Sequence, residues 1–170
     1  MDIPQIILVR GGSRSNMAPD GNLYPRTARV FSADYADYAD FKSMDFGLSR
    51  QVIGCAMGVH RELGCGFLEN VYENALSIEL ERRGIIFERQ APLLVRYQNV
   101  PVGHYIADII VNDELLLELK ALASITGACK SQLLNYLKAS RIHAGLILNF
   151  GAKSPEFKRM ARTPKIHEQK

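Results

Sequence analysis

The 170 residues are 47% hydrophobic and 23% charged, which fits one core-forming domain and excludes a disordered or collagen-like chain. No apolar run approaches the roughly 20 residues of a membrane span, and the patch Ile6-Ile7-Leu8-Val9 lacks the basic lead and the length of a secretory signal. The net charge of +3 is modest, and the three cysteines, Cys55, Cys65 and Cys129, are too few and too scattered for a disulfide framework or a zinc ribbon, so a cytoplasmic location is the expectation.

Residues 1–43 differ from the rest. They carry Gly11-Gly12-Ser13 and a tandem Tyr-Ala-Asp repeat across Asp34-Tyr35-Ala36-Asp37-Tyr38-Ala39-Asp40, whose period of three suits neither a helix nor a strand face. This segment is expected to be disordered and outside the fold, with Met44 a candidate alternative start of translation. The folded domain is expected over 44–160. Ser49 is placed to cap a helix to about Leu63 that buries Val52, Ile53, Ala56, Val59 and Leu63. Gly64-Cys65-Gly66 breaks it. A second helix runs from about Leu68 to Arg83, with Val71, Ala75, Ile78 and Leu80 apolar and Gly84 as its stop. Strands are predicted near 85–90, 93–98, 102–111 and 114–120, punctuated by Pro92 and Pro101. A helix over about 125–140 and a buried strand from Ala144 to Phe150 complete the order. The pattern predicts an α/β fold, a mixed central sheet flanked by helices. Residues 153–170 hold six basic and two acidic residues and read as a basic tail that either touches phosphates or is simply solvated, with 161–170 expected beyond the domain.

The chemistry concentrates in two apolar runs, Tyr105-Ile106-Ala107-Asp108-Ile109-Ile110-Val111 and Leu115-Leu116-Leu117-Glu118-Leu119-Lys120. Charges inside apolar strands are costly unless they are paired or bind a metal. Glu118 and Lys120, two apart, project from one face of a strand. Two carboxylates beside an amine suit a hard divalent cation and a water to be deprotonated. The hairpin loop decides whether Asp108 joins them. An even loop pairs Asp108 with Leu117 and turns it away, whereas an odd loop, such as Asn112-Asp113-Glu114, or a bulge sets it opposite Glu118.

A strand carrying Asp, a strand carrying Glu-x-Lys, a helix and a strand, in that order, resemble the core of the PD-(D/E)XK nuclease superfamily, with its restriction-endonuclease-like fold. Gly66-Phe67-Leu68-Glu69-Asn70-Val71-Tyr72 reads G-x-x-E-x-x-Y and, with the rest, resembles the small bacterial GxxExxY proteins of that superfamily. Gln132-Leu133-Leu134-Asn135-Tyr136 is similar to the Q-x-x-x-Y element of RecB-like nucleases, and Gly145 to Gly151 to the closing strand. Ala107 departs from the proline usual before the Asp.

The resemblance implies a nuclease that hydrolyses phosphodiester bonds of DNA or RNA with Mg²⁺ or Mn²⁺. Asp108 and Glu118 would be the main metal ligands, with the Leu119 carbonyl a third and Glu69 pointing at the same site. Lys120 would orient or deprotonate the attacking water, or neutralise developing charge. Gln132 would bond the water or a phosphate oxygen, and Tyr72, Tyr136 and Lys130 would support the site or contact substrate. Each has a blander counterpart: a first-turn acid at Glu69, a half-buried Tyr72, solvated tips for Gln132 and Tyr136, and an exposed helix lysine. His60, His104, His143 and His167 show no ligand spacing.

A single small domain has few means of base-specific recognition, so shape- or end-directed contact, or a partner that supplies targeting, is expected, and a homodimer would let two sites act on two strands. The competing classes are a catalytically silent nucleic-acid-binding or protein-interaction module on the same fold, and hydrolysis of a small nucleotide phosphodiester.

Overall fold

A computed structural model describes residues 38–162. The expectations for 1–37 and for 163–170 lie outside the described residues. Helices α1 (Tyr38–Leu63) and α2 (Glu69–Arg82) precede strands β1 (Phe87–Tyr97), β2 (Val100–Val111) and β3 (Leu115–Lys120). Helix α3 (Gly127–Ser140), strand β4 (Ala144–Asn149) and strand β5 (Glu156–Ala161) follow.

The five strands form one sheet in the order β1-β2-β3-β4-β5. Strands β3 and β4 pair in parallel and every other neighbour is antiparallel, which makes the mixed α/β sheet that the sequence predicts. A parallel pair needs a crossover, and α3 supplies it. Strands β3 and β4 are buried on both faces, so they read as continuous apolar runs rather than alternating ones.

Helices α1 and α2 cover one face. Val52, Cys55, Ala56 and Val59 of α1 meet Tyr72, Leu76 and Leu80 of α2 over Ile109, Leu115, Leu117, Leu119, Leu146 and Leu148. Helix α3 covers the other, packing Cys129, Leu133 and Leu137 on Ile110, Leu116 and Ile147. Each fully buried leucine contributes roughly 1.5–3 kcal/mol through the apolar area it removes from water.

Four features differ from the sequence-based expectation. Helix α1 begins at Tyr38, and Ser49 is buried inside it instead of capping it. No proline lies between 38 and 63, so a helix anchored at its far end propagates backwards at little cost. Helix α2 buries Tyr72, Leu76 and Leu80 and leaves Ile78 exposed, because the 72/76/80 spacing forms the stripe that faces the sheet. The two strands predicted near 85–90 and 93–98 are one strand, β1. It lies at the sheet edge with β2 as its single neighbour, where Pro92 removes no bond to a second strand. Strand β5 forms within the segment read as basic and solvated, since an edge strand tolerates charge.

The stops follow the glycines. Gly84, with φ +67°, closes α2: its N–H donates to the Glu81 carbonyl at 2.9 Å and the Ile85 N–H to Leu80 at 3.0 Å. Gln98 and Asn99, with φ +48° and +65°, make the two-residue turn that joins β1 to β2.

Close packing of α3 on β4 depends on Gly145. A Cβ there would stand 2.7 Å from Leu133 Cδ1, so something must shift. Gly145→Ala is expected to cost about 1–3 kcal/mol by overpacking. In urea unfolding, Gly145→Ala combined with Leu133→Ala should cost less than the sum of the two single changes; strict additivity would show that the contact is not the cause.

Candidate functional site

Strand β2 pairs with β3 through Ile109–Leu117, Ile110–Leu116 and Val111–Leu115. The loop between them is therefore Asn112-Asp113-Glu114, the odd register, and its continuation sets Asp108 opposite Glu118. Asn112 and Asp113, with φ +50° and +61°, take the left-handed turn that this loop needs. Beyond Ile109 the ladder stops and β2 leaves β3. The Leu119 N–H, which would otherwise bond β2 backbone, donates to Asp108 Oδ2 at 2.7 Å. In a strand the N–H and C=O of one residue point to the same edge. The Leu119 carbonyl therefore opens on the same gap as the Asp108 carboxylate.

Glu118 and Lys120 alternate with Leu117 and Leu119, which pack under α1 and α2, so both side chains project toward the α3 side. Glu118 is 1% exposed, and Lys120 Nζ lies 2.5 Å from Glu118 Oε1. The other oxygen, Glu118 Oε2, is buried with no hydrogen-bond partner among the described residues. An orphaned, buried carboxylate oxygen costs several kcal/mol unless something satisfies it.

The electrostatics register this cost. Burial, reinforced by the Asp108 and Glu69 carboxylates, pushes the Glu118 carboxyl up to about 7 against the opposing pull of Lys120. Burial also raises Asp108, with Glu73 and Glu69 adding to it, while the Leu119 N–H and Lys120 pull the other way. For Lys120 burial acts downward, but the bond to Glu118 and the surrounding carboxylates outweigh it, and the ammonium is held above its ordinary range. Lys120 is therefore arranged to stay charged.

The remaining predicted residues fall into three groups. Glu69 opens α2, and its Oε1 accepts the Ala121 N–H at 3.3 Å just past Lys120. It acts on Asp108, Glu118 and Lys120 through its charge. Among the described residues no three His, Cys, Asp or Glu side chains converge as a metal cage. An open cleft of about 560 Å³ lies beside Glu69, lined by Gly66, Phe67, Ala121 and Gly151 among others.

Tyr72 is fully buried and is a support rather than a substrate contact. Its hydroxyl donates to the Gly64 carbonyl at 2.9 Å and accepts the Phe67 N–H at 3.2 Å. Its ring stacks on Phe150 with centroids 4.6 Å apart. His60 also stacks on Phe150 and bonds the Ala152 carbonyl at 3.0 Å, which fits its structural reading.

Gln132 and Tyr136 share one face of α3, and Gln132 Nε2 donates to the Tyr136 hydroxyl at 3.0 Å. Tyr136 also meets the half-exposed Tyr105 ring of β2 at 5.4 Å. The partly buried Lys130 sits in the first turn of the same helix, where its N–H bonds the Thr126 carbonyl.

Two supports go unnoticed in the sequence. Asn149, 1% exposed at the end of β4, accepts the Leu122 and Gly151 N–H groups and donates to the Leu122 carbonyl and to Glu156 Oε2. Glu156 Oε2 also accepts the Ile125 N–H at 2.9 Å. Together they fasten the connection from β3 to α3. The signal was present, a polar residue inside the run Leu146-Ile147-Leu148-Asn149-Phe150, the same mark that singles out Asp108 and Glu118. Glu73, a buried residue of α2, is the second; it binds Arg89 and Gln90 of β1.

A family model of the PD-(D/E)XK nuclease superfamily matches residues 47–160, and the chain belongs to that superfamily. No curated protein matches. A solved structure titled "Crystal structure of SSO0001" is similar at 19% identity and a TM-score of 0.44, covering 56% of this chain and 50% of that one. The chain thus spans about half the length of that solved structure. Among the described residues no helix is long and apolar enough to cross a membrane.

The raised Glu118 carboxyl has a pH signature. Its folded value of about 7 exceeds its ordinary 4.5, so the folded protein holds a proton the unfolded chain has lost between those values. The Glu118 contribution to the stability of the metal-free protein is fully present below about 4.5 and is lost as pH rises to about 7, by an amount on the order of 3 kcal/mol. In EDTA, Glu118→Gln should therefore melt higher than the wild type at pH 8 and close to it at pH 4.5. A variant less stable at pH 8 would show that the ionised carboxylate is not a burden.

Proposed function

We propose that this member of the PD-(D/E)XK nuclease superfamily is a metal-dependent nuclease acting on DNA or RNA. The observation that carries the proposal is the buried, unpartnered Glu118 Oε2 opposite Asp108. A dication there would satisfy the orphaned oxygen and offset the mutual repulsion of the two carboxylates. Asp108, Glu118 and the Leu119 carbonyl are the residues that would hold it, a small oxygen set of the kind Mg²⁺ accepts while keeping waters. When bound, Mg²⁺ or Mn²⁺ lowers the pKa of its water and neutralises phosphate charge.

The chain's own residues do the rest. Lys120, kept charged by Glu118, faces the negative charge that builds on phosphate oxygen in the transition state. Glu69 holds the first peptide after β3 through the Ala121 N–H and adds negative potential. Gln132 and Tyr136, on the α3 side, contribute hydrogen-bonding groups toward water or backbone phosphate. Phosphate contacts carry no sequence information, so targeting falls to a partner protein or a second copy of the chain. Within the superfamily, Gly66, Glu69 and Tyr72 support placing it with the GxxExxY proteins.

The test is cleavage of a mixed panel of labelled DNA and RNA with Mg²⁺, Mn²⁺ or EDTA. Wild type should cut only with metal, and Glu118→Ala and Lys120→Ala should each lose at least about 100-fold. Cutting that survives in both variants would sink the assignment. Absence of cutting together with absence of metal binding by the wild type would favour the silent interaction module.

A further inference from the structure

The alternation of the β1–β2 ribbon reverses at one point. On β2, Val111 and Ile109 pack under α1 and α2 and Ile110 under α3, yet Ala107 also packs under α3, where strict alternation would return it to the first face. On β1, Phe87 packs under α1 and α2 and Arg89 reaches α2, whereas Ala91 and Leu93 lie under α3. The register does not slip: Arg89 pairs with Ile109 and Ala91 with Ala107. Between those pairs stand Gln90 and Asp108, and Gln90 has φ +48°. A glutamine in the left-handed region is uncommon. The reversal is a backbone rotation at Gln90, directly across from Asp108.

A residue held in such a conformation persists only where its surroundings over-determine it. Here the restraint is one carboxylate. Glu73, 7% exposed and one helical turn beyond Glu69, accepts Arg89 Nε on Oε1 at 2.9 Å and Gln90 Nε2 on Oε2 at 2.7 Å. Arg89 is held further by Asn74, whose Oδ1 accepts Nη2 at 2.5 Å. Both Glu73 oxygens are thus spent on the reversal and on the residue beside it.

We propose that Glu73 is a positioning residue: through Gln90 and Arg89 it pins the reversal that carries β2 away from β3, and so seats the Asp108 carboxylate on the Leu119 N–H beside Glu118. Its importance for catalysis rests on the reading of Asp108 and Glu118 as metal ligands, but the seating itself does not. The experiment is amide hydrogen exchange on the full chain in EDTA, for wild type, Gln90→Gly, Glu73→Gln and Asp108→Ala. Glycine keeps a positive φ without penalty, so Gln90→Gly removes the anchor while sparing the backbone. The Leu119 amide should exchange about tenfold faster or more in Gln90→Gly and Glu73→Gln, approaching Asp108→Ala, while Leu117 and Lys120 keep wild-type protection. Wild-type protection at Leu119 in Gln90→Gly, or uniform loss across β3, would overturn the proposal. Calorimetric titration of the same proteins with Mn²⁺ separates the two readings. If wild type binds and Asp108→Ala does not, the metal reading stands, and unchanged affinity in Gln90→Gly again overturns the positioning role. If wild type binds no Mn²⁺, the metal reading fails and exchange at Leu119 alone decides the seating.

Discussion

Strand β3 carries a carboxylate and an ammonium into the centre of a sheet covered on both faces, and the neighbourhood is arranged around that placement. Leu115, Leu116, Leu117 and Leu119 are each at most 1% exposed, so water is not available to solvate Glu118 from the strand's own surroundings. Contact with Lys120 recovers part of the desolvation cost. Buried ion pairs seldom recover all of it, and well-packed apolar side chains in their place are often as stable or more so. A net gain for folding is therefore a poor explanation for Glu118 and Lys120. The proposed reaction would need a poised carboxylate and a fixed positive charge, and the superfamily to which the chain belongs is one of nucleases.

The end of β3 is also where the chain takes most care over its backbone. Asn149 and Glu156 fasten the segment that leaves the strand, and Gly151 lies so close to the Ala121–Leu122 backbone that a side chain there would collide with it. Tyr72, stacked on Phe150 and meeting Phe67 edge to face, fixes the Gly64–Phe67 loop and with it the start of α2. Glu69 thereby reaches the Ala121 N–H from a helix that shares no strand with Lys120. These are supports without chemistry of their own, and they limit how far the reactive groups can drift.

The sequence discloses the central strands and the acids within them for a simple reason. A strand buried on both faces leaves a continuous apolar run, and a charge inside it stands out. The same signal marks Asp108, Glu118 and Lys120, and it marks Asn149 as well. Edges are harder to read. Pro92 looks like a break although it lies within β1, and the charged run at Glu156–Ala161 looks like a solvated tail although it pairs along β4. Both patterns are ordinary for edge strands, whose outer face makes few demands on the sequence. Glu73 was hidden for another reason. Acids on a helix are usually solvated, and only the three-dimensional meeting of α2 with β1 gives this one its partners.

The site is assembled from two bodies with unequal restraint. Glu118 and Lys120 ride on β3, which pairs with β4 along its whole length. Asp108 rides on the β1–β2 ribbon, which meets β3 through three residue pairs before it departs. Backbone hydrogen bonds alone would leave the two carboxylates free to part by pivoting at that short seam. Side-chain bonds take over where the ladder ends: Asp108 to the Leu119 N–H on one side, and the Glu73 carboxylate to β1 on the other. A ligand bridging Asp108 and Glu118 would therefore add a third tie across the same gap, and it would hold together two parts of the fold that the sheet joins only weakly.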